Sequence, residues 1–575
     1  MTDRAETPAR DEPTAPASAR RLYALTAFFL VEFLALAAFQ SPYRTFDQFA
    51  LWDSGGDLVI QHLMRRGWTP TVDFGYLYGL LGLLVGRVYY TFAPISPGAF
   101  RVEVVACSLL SAWGLARFAH ARRLGPVGVA LLALAVPDLL LVTYITLTHV
   151  LEQALLLLAL AELGRGRRGP ALALATACWF VKPSQAALIG LALVVMIVIE
   201  NRRAGLAAWA RGFGPAVVTG TVLAVVLGVV FGPWPLLRTL FPITGREVYR
   251  LNGFGFFLGQ GRTFWALPNA GLKDYFRYET GFYLLGTAVL AGGAAAALGR
   301  LTWGEPRPDE VIDDEVVITC AAVHLGFIAV FFGHHNTWYY SLPMLVAGLA
   351  VLSRRGRRCQ AAVGILALML LVSDRSKSLE LVHRWRTTRA SAATLGLWSS
   401  AADREEWTTV MELARGDRAV LFALCEGAAL LLPGFEPPVS GYIVAGLPVP
   451  AEIDRKLAQL RRARTIIAHE PVELNVFRRW PELKAALDDC DLIYQGRVLK
   501  VYRRSVKGPA AKYQSKPITD KPWLISPARI MPGIDASATS STATSSPASS
   551  FGSATRRAAR TTTTVNLDVM IDGFE

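Results

Sequence analysis

Apolar runs recur from Leu22 to Ser373, separated by short loops that are either basic or aromatic, while polar residues collect in the termini and the last third. Several runs reach the roughly 17–25 residues that a helix needs to cross a bilayer. They predict helical segments at 22–40, 76–93, 100–119, 126–163, 170–181, 184–199, 213–231, 281–299, 316–332, 340–353 and 359–373. The stretch 126–163 is too long for one straight helix and has a polar break from Thr143 to Gln153. The segments flanking Lys182-Pro183 are short, like a helical pair meeting at one membrane face.

Basic clusters give the runs a direction. Arg165, Arg167 and Arg168, then Arg202 and Arg203, then Arg354, Arg355, Arg357 and Arg358 each cap an apolar run, as cytoplasmic loops do. Loops near 182, 232–280 and 333–339, and everything after 374, then fall on the outer side. One conflict arises: with 41–75 outside, the basic cluster His120–Arg123 falls outside as well. Either 126–163 makes one net crossing with a non-spanning half, or an upstream segment fails to span; the first option is the expectation taken here.

The ends of the chain read differently. Residues 1–19 are rich in Pro, Ala and charge and are expected to be a disordered cytoplasmic N-terminus. Arg20 and Arg21 precede the first apolar run, which is read as an uncleaved helix although Ala35-Leu36-Ala37 imitates a cleavage site. The membrane region is placed at 20–375, with a first external loop at 41–75 and a second at 232–280, and a connector at 376–414. Over 415–505, β-like runs at Arg418–Cys425, Tyr442–Ala445, Thr465–His469, Asp491–Tyr494 and Arg497–Tyr502 alternate with helical patterns at Ala451–Arg461 and Pro481–Leu487. That alternation predicts a small α/β domain. It has no Gly-rich phosphate loop and reads as a substrate-side or structural cap. Residues 506–575 are Lys/Pro-rich, then Ser/Thr-rich, and are expected to be a tail.

Composition agrees. Of 575 residues, 53% are hydrophobic and only 18% charged, too little polar surface for a soluble enzyme of this length. The formal charge of +14 would suit nucleic acid, but its placement at the ends of apolar runs argues for membrane loops and no nucleic-acid partner. The expected fold is a polytopic α-helical membrane protein of about eleven transmembrane segments with a small C-terminal extracytoplasmic α/β domain. Its place would be the inner (cytoplasmic) membrane. Cys107, Cys178, Cys320 and Cys359 lie in or beside apolar runs and read as small apolar residues. Cys425 and Cys490 fall in the outer domain, where a bridge is permitted, although free thiols are favoured.

Candidate chemistry concentrates between Asp47 and Leu81, DQFALWDSGGDLVIQHLMRRGWTPTVDFGYLYGLL. Asp53 and Asp57, four apart, share one face of a helix. Leu58, Ile60, Leu63 and Met64 give that helix an apolar side for the membrane surface. Gly67 ends it, Pro70 starts an extended segment, and Asp73-Phe74 leads into the next apolar run. In an ordinary loop such acids merely solvate the chain.

This stretch is similar to the first extracytoplasmic loop of the GT-C superfamily, the polyprenyl-phosphate-sugar-dependent glycosyltransferases. Asp53, the helix to Arg66, Gly67, Pro70, Asp73-Phe74 and Tyr76 to Leu81 carry the resemblance. Asp57 stands where the family more often has an aromatic residue, and the usual Pro pair opening the second helix is missing. The resemblance covers residues 20–375 by architecture, with motif-level detail in this loop only. It implies an inverting transfer of a sugar from a polyprenyl-phosphate donor to a glycan, lipid or protein acceptor outside the membrane, with no cofactor. Asp53 is the expected general base and Asp57 its rival.

The departing phosphate would need cations. Lys182, in FVKPSQ, interrupts an apolar stretch at the inferred outer face; it is read as a phosphate partner, against the alternative of snorkelling to lipid head groups. Asp73 joins it as a substrate-side candidate. Arg246, Arg250 and Arg262, with Lys273 and Arg277, stand among aromatic residues in 232–280, where Arg suits bidentate phosphate contact. His334 and His335 precede Trp338-Tyr339-Tyr340. Adjacent histidines are poorly spaced for zinc, so no metal is expected, and substrate hydrogen bonding is weighed against a plain interfacial belt. Glu32, Asp138 and Glu152 are further acids within apolar runs, and sequence suggests a partner for none. Two other functions stay open: a lipid or glycan transporter or flippase, disfavoured by the lack of an internal repeat, and a glycan ligase or polymerase using the 232–280 loop.

Overall fold

The computed structural model describes residues 15–39, 46, 50–51, 53–143, 146–202, 205–241, 278–330, 337–391, 396–423, 425–441, 449–469, 476–477 and 480–505. The protein is mainly helical. Among the described residues, five helices are long and apolar enough to cross a membrane, at Ser18–Ala38, Pro97–Ala121, Pro183–Asn201, Leu206–Phe231 and Gly281–Trp303. Their outward residues need lipid: on the fourth, Val217, Val218, Val222, Val225 and Val229 are all exposed. The chain has the make-up of a helical membrane protein.

The helices follow in order: α1 (Ala15–Phe39), α2 (Asp53–Arg65), α3 (Leu80–Phe92), α4 (Pro97–Ala121), α5 (Pro126–Leu134), α6 (Val136–Thr143), α7 (Leu147–Leu163), α8 (Arg168–Trp179), α9 (Pro183–Asn201), α10 (Leu206–Phe231), α11 (Pro233–Leu240), α12 (Tyr278–Trp303), α13 (Pro308–Val330), α14 (Thr337–Leu352) and α15 (Arg357–Thr387). Many begin with Pro in the first turn, where its missing N–H has no helical partner to lose. Ser96 also caps α4 by accepting the Ala99 N–H.

Ion pairs gather the basic loops at one end. Arg122 bonds Asp313 and the Gly164 carbonyl, and Arg354 bonds the same Asp313. Arg300 and Arg355 share Asp314, while Arg168 bridges Glu315 and Glu200. Arg117, Arg165 and Arg167 converge on Glu162. The start of α1 joins this end, with Arg21 donating to the Leu124 carbonyl at 2.6 Å. Loops 120–124, 164–168, 300–310 and 353–357 therefore lie together, and the basic cluster His120–Arg123 no longer stands apart.

Two expectations are corrected as a result. Segment 76–93 does not run through the bundle. Its helix α3 has 13 residues, so about 20 Å of length, and lies beside only the first turns of α4. Tyr89 donates to the Ala99 carbonyl, and Gly86 faces Gln61 and Glu103. Segment 126–163, expected to make one net crossing, instead traverses the bundle twice. α5 and α6 start at the basic end, where Gly128 meets Ser353, and α7 returns to that end, in register with α4 through Gly114 against Leu157. α6 ends at Thr143 and α7 begins at Leu147, so the two passes are separated at the start of the polar stretch from Thr143 to Gln153.

The last third forms an α/β unit. Strands β3 (Ala419–Phe422), β4 (Thr465–His469), β6 (Leu499–Arg504) and β5 (Cys490–Gln495) lie in that order, the first pair parallel and the others antiparallel. The parallel pair reads as continuous apolar strand because both faces are covered. Helices α17 (Gly427–Leu431), α18 (Pro450–Arg462) and α19 (Pro481–Ala485) accompany the sheet, after a small ribbon of β1 (Arg389–Ala390) and β2 (Trp398–Ser399). α16 (Ala401–Ala414) also belongs here, since Glu406 accepts the N–H groups of Val498 and Leu499 at the β6 start. The expected connector 376–414 thus divides between the end of α15 and this unit. The β-like run Tyr442–Ala445 lies outside the described residues. Cys425 and Cys490 are free thiols. Cys425 packs under α2, and Cys490 packs beside Leu483 on the far side of the sheet, so no bridge joins them.

Candidate functional site at the end opposite the basic loops

α2 does not float on a membrane surface as its amphipathic pattern suggested. Leu58, Val59, Ile60, Leu63 and Met64 are all buried by protein, against α3, α4 and α17 of the C-terminal unit. Gly67 ends the helix with φ +83°, a conformation that other residues adopt only under strain. Asp53 is the first residue of α2, and its side chain lies outside the described residues. Asp57, one turn on, accepts the Leu147 N–H at 2.8 Å. It therefore caps α7 from a distance, placing negative charge where the helix leaves N–H groups unsatisfied. Thr146, the residue at the cap position, makes no side-chain cap and instead meets the His149 ring.

From Asp57 a chain of contacts leads to Lys182. Tyr76 approaches the Thr148 hydroxyl at 3.5 Å. Tyr78 meets His149 edge-on at 5.7 Å, and His149 stacks on Tyr340 at 4.9 Å. The Lys182 ammonium lies 4.1 Å from the centre of the Tyr340 ring, a cation–π distance. It also pairs with Glu152 Oε2 at 3.1 Å. Ser184 Oγ and Gln185 Nε2 each donate to Glu152 Oε1 at 3.4 Å. Four segments remote in sequence meet here: the first loop, the α7 start, the α8–α9 corner and the α14 start.

Lys182 thus neither reaches out to lipid nor waits as an unpaired cation. It is buried and neutralised by Glu152, one of the acids for which sequence suggested no partner. An ion pair so buried contributes little net stability, because desolvation cancels attraction, yet removing either partner is costly. Two membrane-level charges of opposite sign, thirty positions apart, were the available signal. Which turn each occupied relative to the other depended on how α7 and α9 pack.

The loop leading into α3 is held from both sides. Below, Gly79 N–H donates to the Val181 carbonyl and Leu81 N–H to the Phe180 carbonyl, so the first loop is stitched to the α8–α9 corner. Gly79 lies so close to Phe180 that a Cβ there would overlap its carbonyl. Above, Glu452 of α18 accepts N–H groups of Gly75 at 2.6 Å, Gly441 at 2.8 Å and Val449 at 3.0 Å. Arg455 donates to the Asp73 carbonyl and stacks 4.0 Å over Trp68. Cys425 N–H donates to Leu51. Burial pushes the Glu452 carboxyl up to about 7, against the pull of its three N–H partners and Arg455. Sequence marks out neither Glu452 nor Arg455, because a Glu three residues after a helix start reads as a local capping residue.

Asp73, a substrate-side candidate, is spent on its own turn: Oδ2 accepts the Thr69 N–H at 2.7 Å. Arg246, Arg250, Arg262, His334 and His335, with Lys273 and Arg277, lie outside the described residues. Of the predicted site residues, Asp57 and Lys182 are the two that the described network joins. No protein-family model matches this chain, and no curated protein sequence does.

Proposed function

We propose that this protein is an inverting glycosyltransferase that moves a sugar from a polyprenyl-phosphate donor to an acceptor on the outer side of the membrane. The observation that carries the reading is the contact chain from the acidic first loop, through Tyr76, Tyr78, His149 and Tyr340, to Lys182. Asp57 and Lys182 both lie at the end away from the arginine loops, and the positive-inside rule makes that the extracytoplasmic end. On the same ground the C-terminal unit, which clamps the first loop, is extracytoplasmic. Eleven passes fit the helix directions: α1, α4, α5 with α6, α7, α8, α9, α10, α12, α13, α14 and α15. The membrane is a cytoplasmic (inner) membrane.

The chemistry asks little of the protein because the donor carries a good leaving group. The acceptor oxygen attacks the anomeric carbon, the carbon–oxygen bond to phosphate breaks, and the acceptor proton passes to a carboxylate. Asp53 is assigned that role. Asp57 accepts the Leu147 N–H, so it is assigned the structural role of orienting α2 on α7. Lys182 is the cation for the departing phosphate.

Transfer of labelled sugar from a polyprenyl-phosphate donor by purified protein tests this reading. Asp53→Asn should lose transfer by a hundredfold or more, in the range of a lost general base. Undiminished transfer by Asp53→Asn would remove the base assignment, and no transfer by wild type from any such donor would remove the reading.

A further inference from the structure

The Glu152 carboxylate is surrounded as a ligand anion would be. Lys182 Nζ meets one oxygen at 3.1 Å, while Ser184 Oγ and Gln185 Nε2 meet the other at 3.4 Å each. These donors come from the first turn of α9 and its cap, where Pro183 opens the helix and no described side chain caps it. Two of the three contacts exceed the usual hydrogen-bond range of about 2.7–3.2 Å, so the cradle is slack around a carboxylate. Phosphate, with three terminal oxygens instead of two, is the wider anion. Gln185 Oε1, on the same buried side chain, has no hydrogen-bond partner among the described residues and is an acceptor for a hydroxyl.

We infer that Lys182, Ser184 and Gln185 form a phosphate-binding cradle, and that Glu152 occupies it as an internal stand-in which a prenyl or sugar phosphate must displace. The identification of phosphate rests on the glycosyl-transfer reading; the competition by Glu152 rests on the geometry alone. A paired lysine is neutral overall, so an arriving phosphate meets no net attraction until Glu152 gives up the ammonium. The pair therefore sets phosphate affinity, and the affinity of the empty cradle is masked. Tyr340, over the ammonium, keeps Lys182 in place during the exchange through its ring face.

The test is equilibrium binding of farnesyl phosphate, and separately of inorganic phosphate, to the purified full-length protein in detergent. Glu152→Gln retains the shape and removes the competing charge; it should bind phosphate at least tenfold more tightly than wild type. Glu152→Asp keeps Lys182 compensated but withdraws the carboxylate by one methylene, and should tighten binding severalfold even if Glu152→Gln does not fold. Lys182→Met should abolish the gain when combined with either. Equal or weaker binding by the folded Glu152 variants would overturn the inference. A gain for farnesyl phosphate alone assigns the cradle to a lipid phosphate, and a gain for both assigns it to any phosphate monoester. Tightened binding without transfer by wild type would sink the transferase reading and leave the cradle; transfer by wild type with unaltered affinities would do the reverse.

Discussion

Asp57 and Leu147 meet through one hydrogen bond, carboxylate to backbone N–H at 2.8 Å, across a sequence separation of 90 residues. The bond fixes the acidic helix of the first loop on the start of α7, and it gives Asp57 a role distinct from that of Asp53. Asp57→Ala should lower stability by about 1–2 kcal/mol, the usual cost of a lost helix cap, and Asp57→Asn by less. Asp53→Asn should leave the thermal midpoint unchanged while transfer is lost. Equal thermal effects of the two asparagine variants would contradict this division.

At the other end, Asp313 serves two arginines, Arg122 at 2.5 Å and Arg354 at 2.9 Å. Arg122 is almost wholly buried, so Asp313→Ala would strand a guanidinium in apolar surroundings. The expected loss is about 3–5 kcal/mol, read as a lower thermal midpoint in detergent. Arg354→Ala, at a half-exposed position, should cost about 1 kcal/mol or less.

Gly79→Ala should be damaging although Gly79 has ordinary backbone angles. The added methyl would overlap the Phe180 carbonyl, and the bond from Gly79 N–H to Val181 would have to lengthen. Overpacking of this kind costs about 1–3 kcal/mol. Hydrogen exchange should quicken at residues 79–81 and at the α8–α9 corner, with the basic end unchanged.

Glu452 should make stability fall as pH rises. Its folded value of about 7 exceeds the ordinary 4.5, so between those values the folded protein holds a proton that the unfolded chain has released. The stabilisation is full below pH 4.5 and is lost as pH passes 7, on the order of 3 kcal/mol in all. His469 acts in the opposite sense: burial lowers it to about 3, and stability falls as pH drops from 6.5 toward that value. The difference between wild type and Glu452→Gln isolates the first effect. A difference that stays constant from pH 5 to pH 8 would contradict it.

The buried ion pair of Lys182 and Glu152 shows how much of the site was legible. Lys182 was recognisable because a lysine in an apolar run is costly without a reason, and Glu152 was recognisable on the same ground. That they neutralise each other was not, since the contact depends on the angle and depth at which α7 meets α9. Tyr78, His149 and Tyr340 were likewise readable only as aromatic or polar residues near helix starts.

Sequence by itself determined the elements. Long apolar runs must become helices wherever water cannot satisfy the backbone, and arginine clusters must mark their polar ends, so helix positions and the basic face follow from local composition. The short apolar strands and the capping residues of the C-terminal unit are local in the same sense. Tertiary structure alone decided that α3 stops short, that 126–163 passes twice, and that Asp313 gathers the arginines of separate loops. It also decided that Glu452 and Arg455 grip the first loop from more than 370 positions away. Those outcomes turn on which helix lies beside which, and side chains of similar size and polarity permit many arrangements until packing and the pairing of buried charges select one.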